Sequence, residues 1–284
     1  MNGRLLITGG SGTLGRHLYH RAAAAGWDVV GTYVATPTET ADEQLDICDP
    51  TAIRELLGRI RPDAVIHAAA ARDRNDWVAT ADGAANVAVA AAGVRLVHVS
   101  SDSIFSGRAT HYTEDATPDP IYPYGAAKAA AETAVRAVHR DAVVVRTSLI
   151  LGDGRGDHER LTHDLAAGRI EGGLFTDEVR NAVHVNDLAE ALVELAASSY
   201  RGILNVAGAA AVSRYELGLL VAARDGLDPA TIRPIRSANP HRPAEIRLTI
   251  QRAQTLLGTR LRGAHEFLAE PLDPRPAVPR ARRA

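Results

Sequence analysis

Lys128 is the only lysine in this 284-residue chain, and it stands four residues after a tyrosine in Tyr124-Gly125-Ala126-Ala127-Lys128. Arginine is a broad planar cation that keeps its proton, whereas lysine is a compact ammonium whose proton affinity yields to its surroundings. A position that alone keeps lysine is therefore a candidate for chemistry that needs the compact charge. Residues four apart share one face of a helix, so the ammonium can act on the phenol beside it. The same spacing also suits a plain pair on a helix surface.

A second constellation opens the chain. In Leu5-Leu6-Ile7-Thr8-Gly9-Gly10-Ser11-Gly12-Thr13-Leu14-Gly15, glycines 9, 12 and 15 follow an apolar strand-like run and start a helix-like one. A dinucleotide pyrophosphate needs this spacing: one glycine makes the tight turn, the next admits the phosphates, and the third lets helix close on strand. The helix start adds free N–H groups and the positive end of the dipole. Ser11, Thr13 and Leu14 are thus candidate cofactor contacts together with Gly9, Gly12 and Gly15. The second strand-like run ends Val30-Gly31-Thr32-Tyr33, without the carboxylate that holds the ribose 2′-hydroxyl of NAD. Arg16 at the helix start can meet a 2′-phosphate, so NADP(H) is favoured, with NAD(H) as the alternative. Asp46, in Leu45-Asp46-Ile47, has two readings: a contact to the adenine edge, or a cap for the helix that Pro50 opens.

These residues need a scaffold, and the pattern supplies one. Strand-like runs at Arg4–Thr8, Asp28–Tyr33, Ala64–His67, 94–100 and 142–147 alternate with helix-like runs at 12–25, 51–61, 77–92 and 122–139. Such alternation predicts an α/β fold, a Rossmann-type doubly wound parallel sheet with helices on both faces. After Leu151 the alternation loosens into glycine-rich loops, which predicts a smaller C-terminal substrate-binding lobe. The expected division is a dinucleotide-binding domain over 1–150, a lobe over 151–270, part of which can return to the sheet, and a flexible tail over 271–284.

Composition excludes several classes. A formal charge of −2 offers no basic field to nucleic acid or an anionic membrane. With 46% hydrophobic and 23% charged residues, the chain reads as an ordinary globular protein. The single cysteine, Cys48, cannot form an internal disulfide, and the start of the chain reads as lacking a signal peptide; both predict a cytoplasmic protein. No apolar run is long enough to span a bilayer. The histidines show no metal-ligand spacing, and neither a Gly-x-Ser-x-Gly elbow nor a Walker lysine is present, so hydrolase and kinase readings lack their parts.

Together these residues resemble the extended short-chain dehydrogenase/reductase superfamily, and within it the dTDP-4-dehydrorhamnose reductase family. The similar stretches are the Thr8–Gly15 loop, Leu45-Asp46-Ile47, Val65-Ile66-His67-Ala68-Ala69-Ala70, Val99-Ser100-Ser101-Asp102-Ser103-Ile104-Phe105-Ser106-Gly107, and Tyr122-Pro123-Tyr124-Gly125 with Lys128 and Glu132. Weaker ones follow at Arg146-Thr147, Phe175-Thr176-Asp177-Glu178, Arg180-Asn181 and Arg242-Pro243. The resemblance implies a reductase that delivers a nicotinamide hydride to a keto group on a nucleotide sugar. Tyr124 would donate the proton, Lys128 would lower the phenol's pKa and hold the nicotinamide ribose, and Ser101 would hydrogen-bond the carbonyl oxygen. Ile47, Ala68, Ala69, Ala70 and Asn86 would complete the cofactor site, Asn86 by supporting the lysine through water. Asp102, Ser103 and Phe105 would line the substrate pocket. Arg146 and Arg180 would each clamp a diphosphate or pair with a neighbouring carboxylate.

Two departures stand out. The family motif Ser-Thr-Asp-Tyr-Val-Phe reads Ser100-Ser101-Asp102-Ser103-Ile104-Phe105 here, which removes an aromatic beside the substrate. Ser103 also stands where related dehydratases carry a catalytic glutamate, which argues against dehydration. Two alternatives accompany the reductase: a nucleotide-sugar epimerase that keeps its oxidised cofactor, and a non-catalytic NADP-binding regulatory subunit. By superfamily habit, a homodimer would form through the helices around 77–92 and 122–139.

Overall fold

The computed structural model describes residues 3–71, 73–239 and 241–272. β1 (Arg4–Thr8) leads through the glycine loop into α1 (Thr13–Ala24), followed by β2 (Asp28–Tyr33) and a short β3 (Glu43–Gln44). Then come α2 (Pro50–Ile60), β4 (Ala64–His67), a π-helical turn at Val78–Asp82 running into α3 (Gly83–Ala90), and β5 (Arg95–Val99). A 3-10 turn at Asp102–Ile104 precedes β6 (Thr110–Tyr112), α4 (Pro123–Val138) and β7 (Val143–Arg146). The second half adds β8 (Ile150–Leu151), α5 (Asp157–Ala166), β9 (Leu174–Phe175), β10 (Val179–Arg180), β11 (Val183–His184), α6 (Val185–Ala197) and β12 (Gly202–Asn205). It closes with β13 (Val212–Ser213), α7 (Arg214–Asp225), β14 (Pro234–Ile235), β15 (Glu245–Leu248), α8 (Gln251–Leu256) and α9 (Ala264–Phe267).

Seven strands make one parallel sheet in the order β12-β7-β5-β4-β1-β2-β3. The order runs outward from β1 in both directions, so the crossover helices fall on both faces. Leu18 and Ala22 of α1 and Leu188 and Leu192 of α6 pack over Leu5, Ile7, Ile66 and Val97. Ile53, Leu56, Val87, Ala131 and Val135 of α2, α3 and α4 cover Leu6, Val65, Leu96 and Val144 on the other face. Successive strand residues feed opposite cores, which is why these strands read as unbroken apolar runs. The winding reverses between β1 and β4, and such a reversal opens a ligand crevice at the carboxyl ends of the strands.

β12 belongs to the second half of the chain yet pairs with β7 in the register Gly202↔Val143 to Asn205↔Arg146. The polypeptide therefore leaves the sheet after β7, builds the lobe, and returns. A separate four-stranded sheet, β13-β10-β15-β6, forms the lobe's own scaffold. Most of the expected tail, from residue 273 onward, lies outside the described residues. Among the described residues no helix is long and apolar enough to cross a membrane, and no group of three or more His, Cys, Asp or Glu could hold a metal.

Candidate active site

The glycine loop is built so that only hydrogen fits at its tightest points. Gly9 has a left-handed φ of 74°, and a Cβ there would stand 2.7 Å from Ala69 Cα. A Cβ on Gly15 would lie 2.1 Å from the Gly9 carbonyl oxygen. Gly12 caps α1 without any side-chain hydrogen bond, so the first helix amides face outward to an anion. Three strand ends are fastened beneath the loop. Gly9 N–H donates to Thr32 Oγ1 at 3.2 Å, and Thr8 Oγ1 accepts from Ala69 N–H at 3.3 Å and bonds His67 Nδ1 at 2.7 Å. His67 is buried and pushed down to about 3, first by burial and then by Lys128, so it serves as a neutral structural group.

The remaining cofactor candidates surround this cradle. Arg16 donates to the Ser11 carbonyl at 3.2 Å, and its guanidinium lies 3.9 Å from the Asp153 carboxylate. The only carboxylate registered against the end of β2, Glu43 opposite Thr32, is held by both terminal nitrogens of Arg59 at 2.8 and 2.7 Å. Asp46 accepts from Cys48 N–H at 2.9 Å, while Asp49 caps α2 through Thr51 and Ala52 N–H. The capping role thus falls to Asp49. Asn86 donates its amide to the Ile47 carbonyl at 3.2 Å, pinning the 45–47 segment against α3. A turn floored by glycine, with no side-chain cap on α1 and with Glu43 beside β2 tied up by Arg59, fits a phosphorylated dinucleotide.

Lys128 of α4 reaches the end of β5, which Ser101 follows, and Tyr124 lies one turn earlier on the same helix. Pro123 opens the helix, and Gly125 lets it close on the 3-10 turn, since a Cβ there would stand 2.1 Å from the Ser103 carbonyl oxygen. Lys128 is buried and donates to the Val99 carbonyl at 2.7 Å. Burial lowers its pKa to about 8 against the pull of Glu132. Tyr124 departs from expectation. Its phenol is raised above the ordinary value by burial, and the first charge opposing that rise is Arg74, whose guanidinium lies 5.7 Å from the ring centre. Arg74 was not singled out from sequence; it sits in an irregular loop with no motif, and its ion pair to Asp157 bridges 83 positions.

The two adjacent serines separate cleanly. Ser100 is buried and donates to Glu132 Oε1 at 2.5 Å, while Ser101 is half-exposed at the strand end. Ser101 Oγ accepts from Ser103 N–H at 3.2 Å and from the Ser103 hydroxyl at 2.8 Å. Both of its lone pairs are thereby used. Its own proton has one protein acceptor, Asp102 Oδ1 at 3.5 Å, the limit of a hydrogen bond. Ser101 is thus set to donate.

Four substrate candidates are occupied elsewhere. Arg146 is only 1% exposed and spends its guanidinium on Glu132 and on the carbonyls of Glu114 and Ala116. It is an internal ion pair, not a diphosphate clamp. Arg180 donates to the carbonyls of Val179, Pro243 and Ala244, stitching β10 to β15, and its Nε lies 3.7 Å from Asp102. It too is no clamp. Phe105 is fully buried and stacks on Tyr112 with ring centres 4.1 Å apart, so it belongs to the core and lines no pocket. Asp102 is buried, accepts from Ser148 Oγ at 2.7 Å and has its other oxygen 3.5 Å from Ser101 Oγ. A cavity of about 320 Å³ that sequence did not reveal opens one residue from Tyr122, lined by Ser106, Ile121, Asp177, Ser237, Asn239 and Arg242 among others. Arg242 in its wall grips Glu178 and lies 4.8 Å over the Phe175 ring.

The chain is 36% identical over 260 residues to the dTDP-4-dehydrorhamnose reductase of Mycobacterium tuberculosis, covering 85% of this chain and 82% of that protein. It is 27% identical to rat methionine adenosyltransferase 2 subunit beta, covering 89% and 82%. Among solved structures it superposes on a dTDP-4-dehydrorhamnose reductase of Bacillus anthracis in complex with NADP, with a TM-score of 0.83, 26% identity and coverage of 94% and 96%. The family model described as RmlD substrate binding domain matches residues 3–275, and the chain belongs to that family.

Proposed function

We propose that this protein is an NADPH-dependent reductase of a keto group on a nucleotide-activated 6-deoxysugar, of the dTDP-4-dehydrorhamnose reductase type. The observation that carries this reading is the reach of Lys128 to the Val99 carbonyl at the end of β5, which sets α4, the helix that also carries Tyr124, against the strand end that Ser101 follows, beside the glycine cradle. The bound nicotinamide supplies the hydride that the carbonyl carbon receives. Ser101 donates to the carbonyl oxygen as negative charge grows there. Tyr124, kept protonated by its burial, gives the proton that converts this oxygen to a hydroxyl. The Lys128 ammonium holds the cofactor ribose and stabilises the phenolate left behind. Gly9, Gly12, Gly15 and the first amides of α1 hold the pyrophosphate, with Ser11, Thr13, Leu14, Ile47, Ala68, Ala69 and Ala70 around it. Arg16 meets the 2′-phosphate. NADH is the weaker donor on this reading. The cavity beside Tyr122 takes part of the nucleotide.

Trp77, Val78, Val89 and Val138 are exposed apolar side chains next to or on the Val78–Asp82 turn, α3 and α4, which supports pairing of two copies through that face. Two nucleotide substrates suit a cytoplasmic location. The test is to mix the purified protein with NADPH and dTDP-4-dehydrorhamnose and follow loss of the reduced nicotinamide. Turnover with NADPH, faster than with NADH, is expected. Cofactor binding without turnover of any keto sugar would overturn the proposal.

A further inference from the structure

Arg74 lies over the Tyr124 ring, its guanidinium carbon 5.7 Å from the ring centre. It stands on the loop that leaves the carboxyl end of β4, and a terminal nitrogen donates to Asp157 Oδ2 at 2.9 Å, on the first residue of α5. The pair thus ties the nucleotide-binding sheet to the lobe beside the proposed proton donor. It is a weak tie. Both side chains stand in solvent, 67% and 68% exposed, and an ion pair held in water contributes little. Asp157 also has a second cation, Arg160, which bonds its other oxygen from one turn along α5. Arg74 can therefore leave without stranding a charge. Its Nε and second terminal nitrogen have no acceptor among the described residues.

We infer that Arg74 recognises the diphosphate of the nucleotide-sugar substrate, exchanging Asp157 for phosphate oxygens when the ligand binds. This deepens the reductase reading above and rests on it for the placing of the sugar. A nucleotide sugar carries its diphosphate on the anomeric carbon, across the pyranose ring from the keto carbon. A carbonyl oxygen set to take the Tyr124 proton therefore brings the phosphates within a sugar ring's width of the phenol that Arg74 overlies. The guanidinium fork matches two phosphate oxygens at once, and it keeps its charge at any working pH. A diphosphate also carries more charge than the single carboxylate it displaces, so the exchange favours the ligand. Arg146 and Arg180 do not compete for it, being spent on Glu132 and on backbone carbonyls.

The test is calorimetric binding of thymidine diphosphate and uridine diphosphate to the NADPH-loaded protein. Arg74→Gln should weaken whichever diphosphate binds by about ten-fold, as loss of a charge-assisted hydrogen bond does, and leave the Kd for NADPH unchanged. Arg74→Lys should fall between the two, keeping the charge and losing the fork. Asp157→Asn should tighten diphosphate binding several-fold, because the competing carboxylate is gone, and should have no such effect in the Arg74→Gln background. In turnover of dTDP-4-dehydrorhamnose, Arg74→Gln should raise KM about ten-fold with a much smaller fall in kcat. Melting temperatures should match wild type throughout, since both side chains are exposed. Equal diphosphate affinity in wild type and Arg74→Gln, weaker affinity in Asp157→Asn, or a wild type that binds neither diphosphate would overturn the inference. A wild type that binds a diphosphate through Arg74 yet reduces no keto sugar would sink the reductase reading alone.

Discussion

Breaking the Glu132–Arg146 pair gives the sharpest check on how this site is supported. The two side chains are 3% and 1% exposed and meet through Arg146 Nε and a terminal nitrogen at 2.9–3.2 Å. Glu132→Gln keeps the shape and an oxygen for Ser100 but leaves a guanidinium buried without its counter-charge. Removing one partner of such a pair costs about 3–5 kcal/mol. At roughly 2 cal/mol/K of unfolding entropy per residue, a chain of this length should lose about 5–8 °C in Tm. Thermal melts and urea midpoints read this directly. Glu132→Leu with Arg146→Met should return to within about 1 kcal/mol of wild type, since no charge is then stranded. A single-variant loss below about 1 kcal/mol, or a double variant worse than the sum of the singles, would refute the reasoning. The substitution has a second readout. Glu132 raises the Lys128 pKa, so its neutral replacement should move any rate limb governed by Lys128 to lower pH.

Four further outcomes are expected. Ketone reduction should fall as pH rises through about 8, where Lys128 loses its proton; a pH–rate profile flat to pH 10 would exclude Lys128 as a required cation. The same lowered pKa means that between about 8 and 10.5 the unfolded chain holds a proton the native state has released, so this residue's contribution to stability rises with pH in that window, as urea titrations can check. Tyr124→Phe should leave NADPH affinity within a few-fold while cutting kcat by about 10²–10⁴, with unchanged turnover counting against its role as proton donor. Gly15→Ala places a Cβ 2.1 Å from the Gly9 oxygen, so nicotinamide fluorescence should show at least a ten-fold weaker NADPH complex.

The sheet was legible because its physics is local. β1, β2 and β4 are apolar runs flanked by glycine, proline and helix-forming segments, and their observed bounds coincide with the sequence reading. The placement of the proposed trio was equally legible, since Tyr124 and Lys128 share one helix and Ser101 lies at a strand end. What escaped was partnership across the chain. Arg146 stayed open between a diphosphate clamp and a carboxylate pair because Glu132 lies on a different element, and Arg180 because its acceptors are the backbone carbonyls of Val179, Pro243 and Ala244. Phe105 read as pocket lining because nothing nearby announces Tyr112 stacked beneath it. Arg74 shows the converse: an unremarkable loop arginine whose position over Tyr124 exists only in three dimensions.

The late arrival of β12 bears on how the protein can be made and cut. A fragment ending at residue 150 would leave β7, all four of whose residues are buried, as a bare hydrogen-bonding edge. It would also uncover Leu5, Ile7 and Val97 where α6 now packs. During synthesis the nucleotide-binding sheet stays unfinished until some fifty residues of lobe have left the ribosome, so chaperone contact should concentrate on nascent chains of that length. Attempts to graft or express the first half alone should yield aggregates. A cofactor module cut before residue 205 therefore lacks its last strand, and one cut just after it still loses Ile246, Leu248 and Leu257 from the same core.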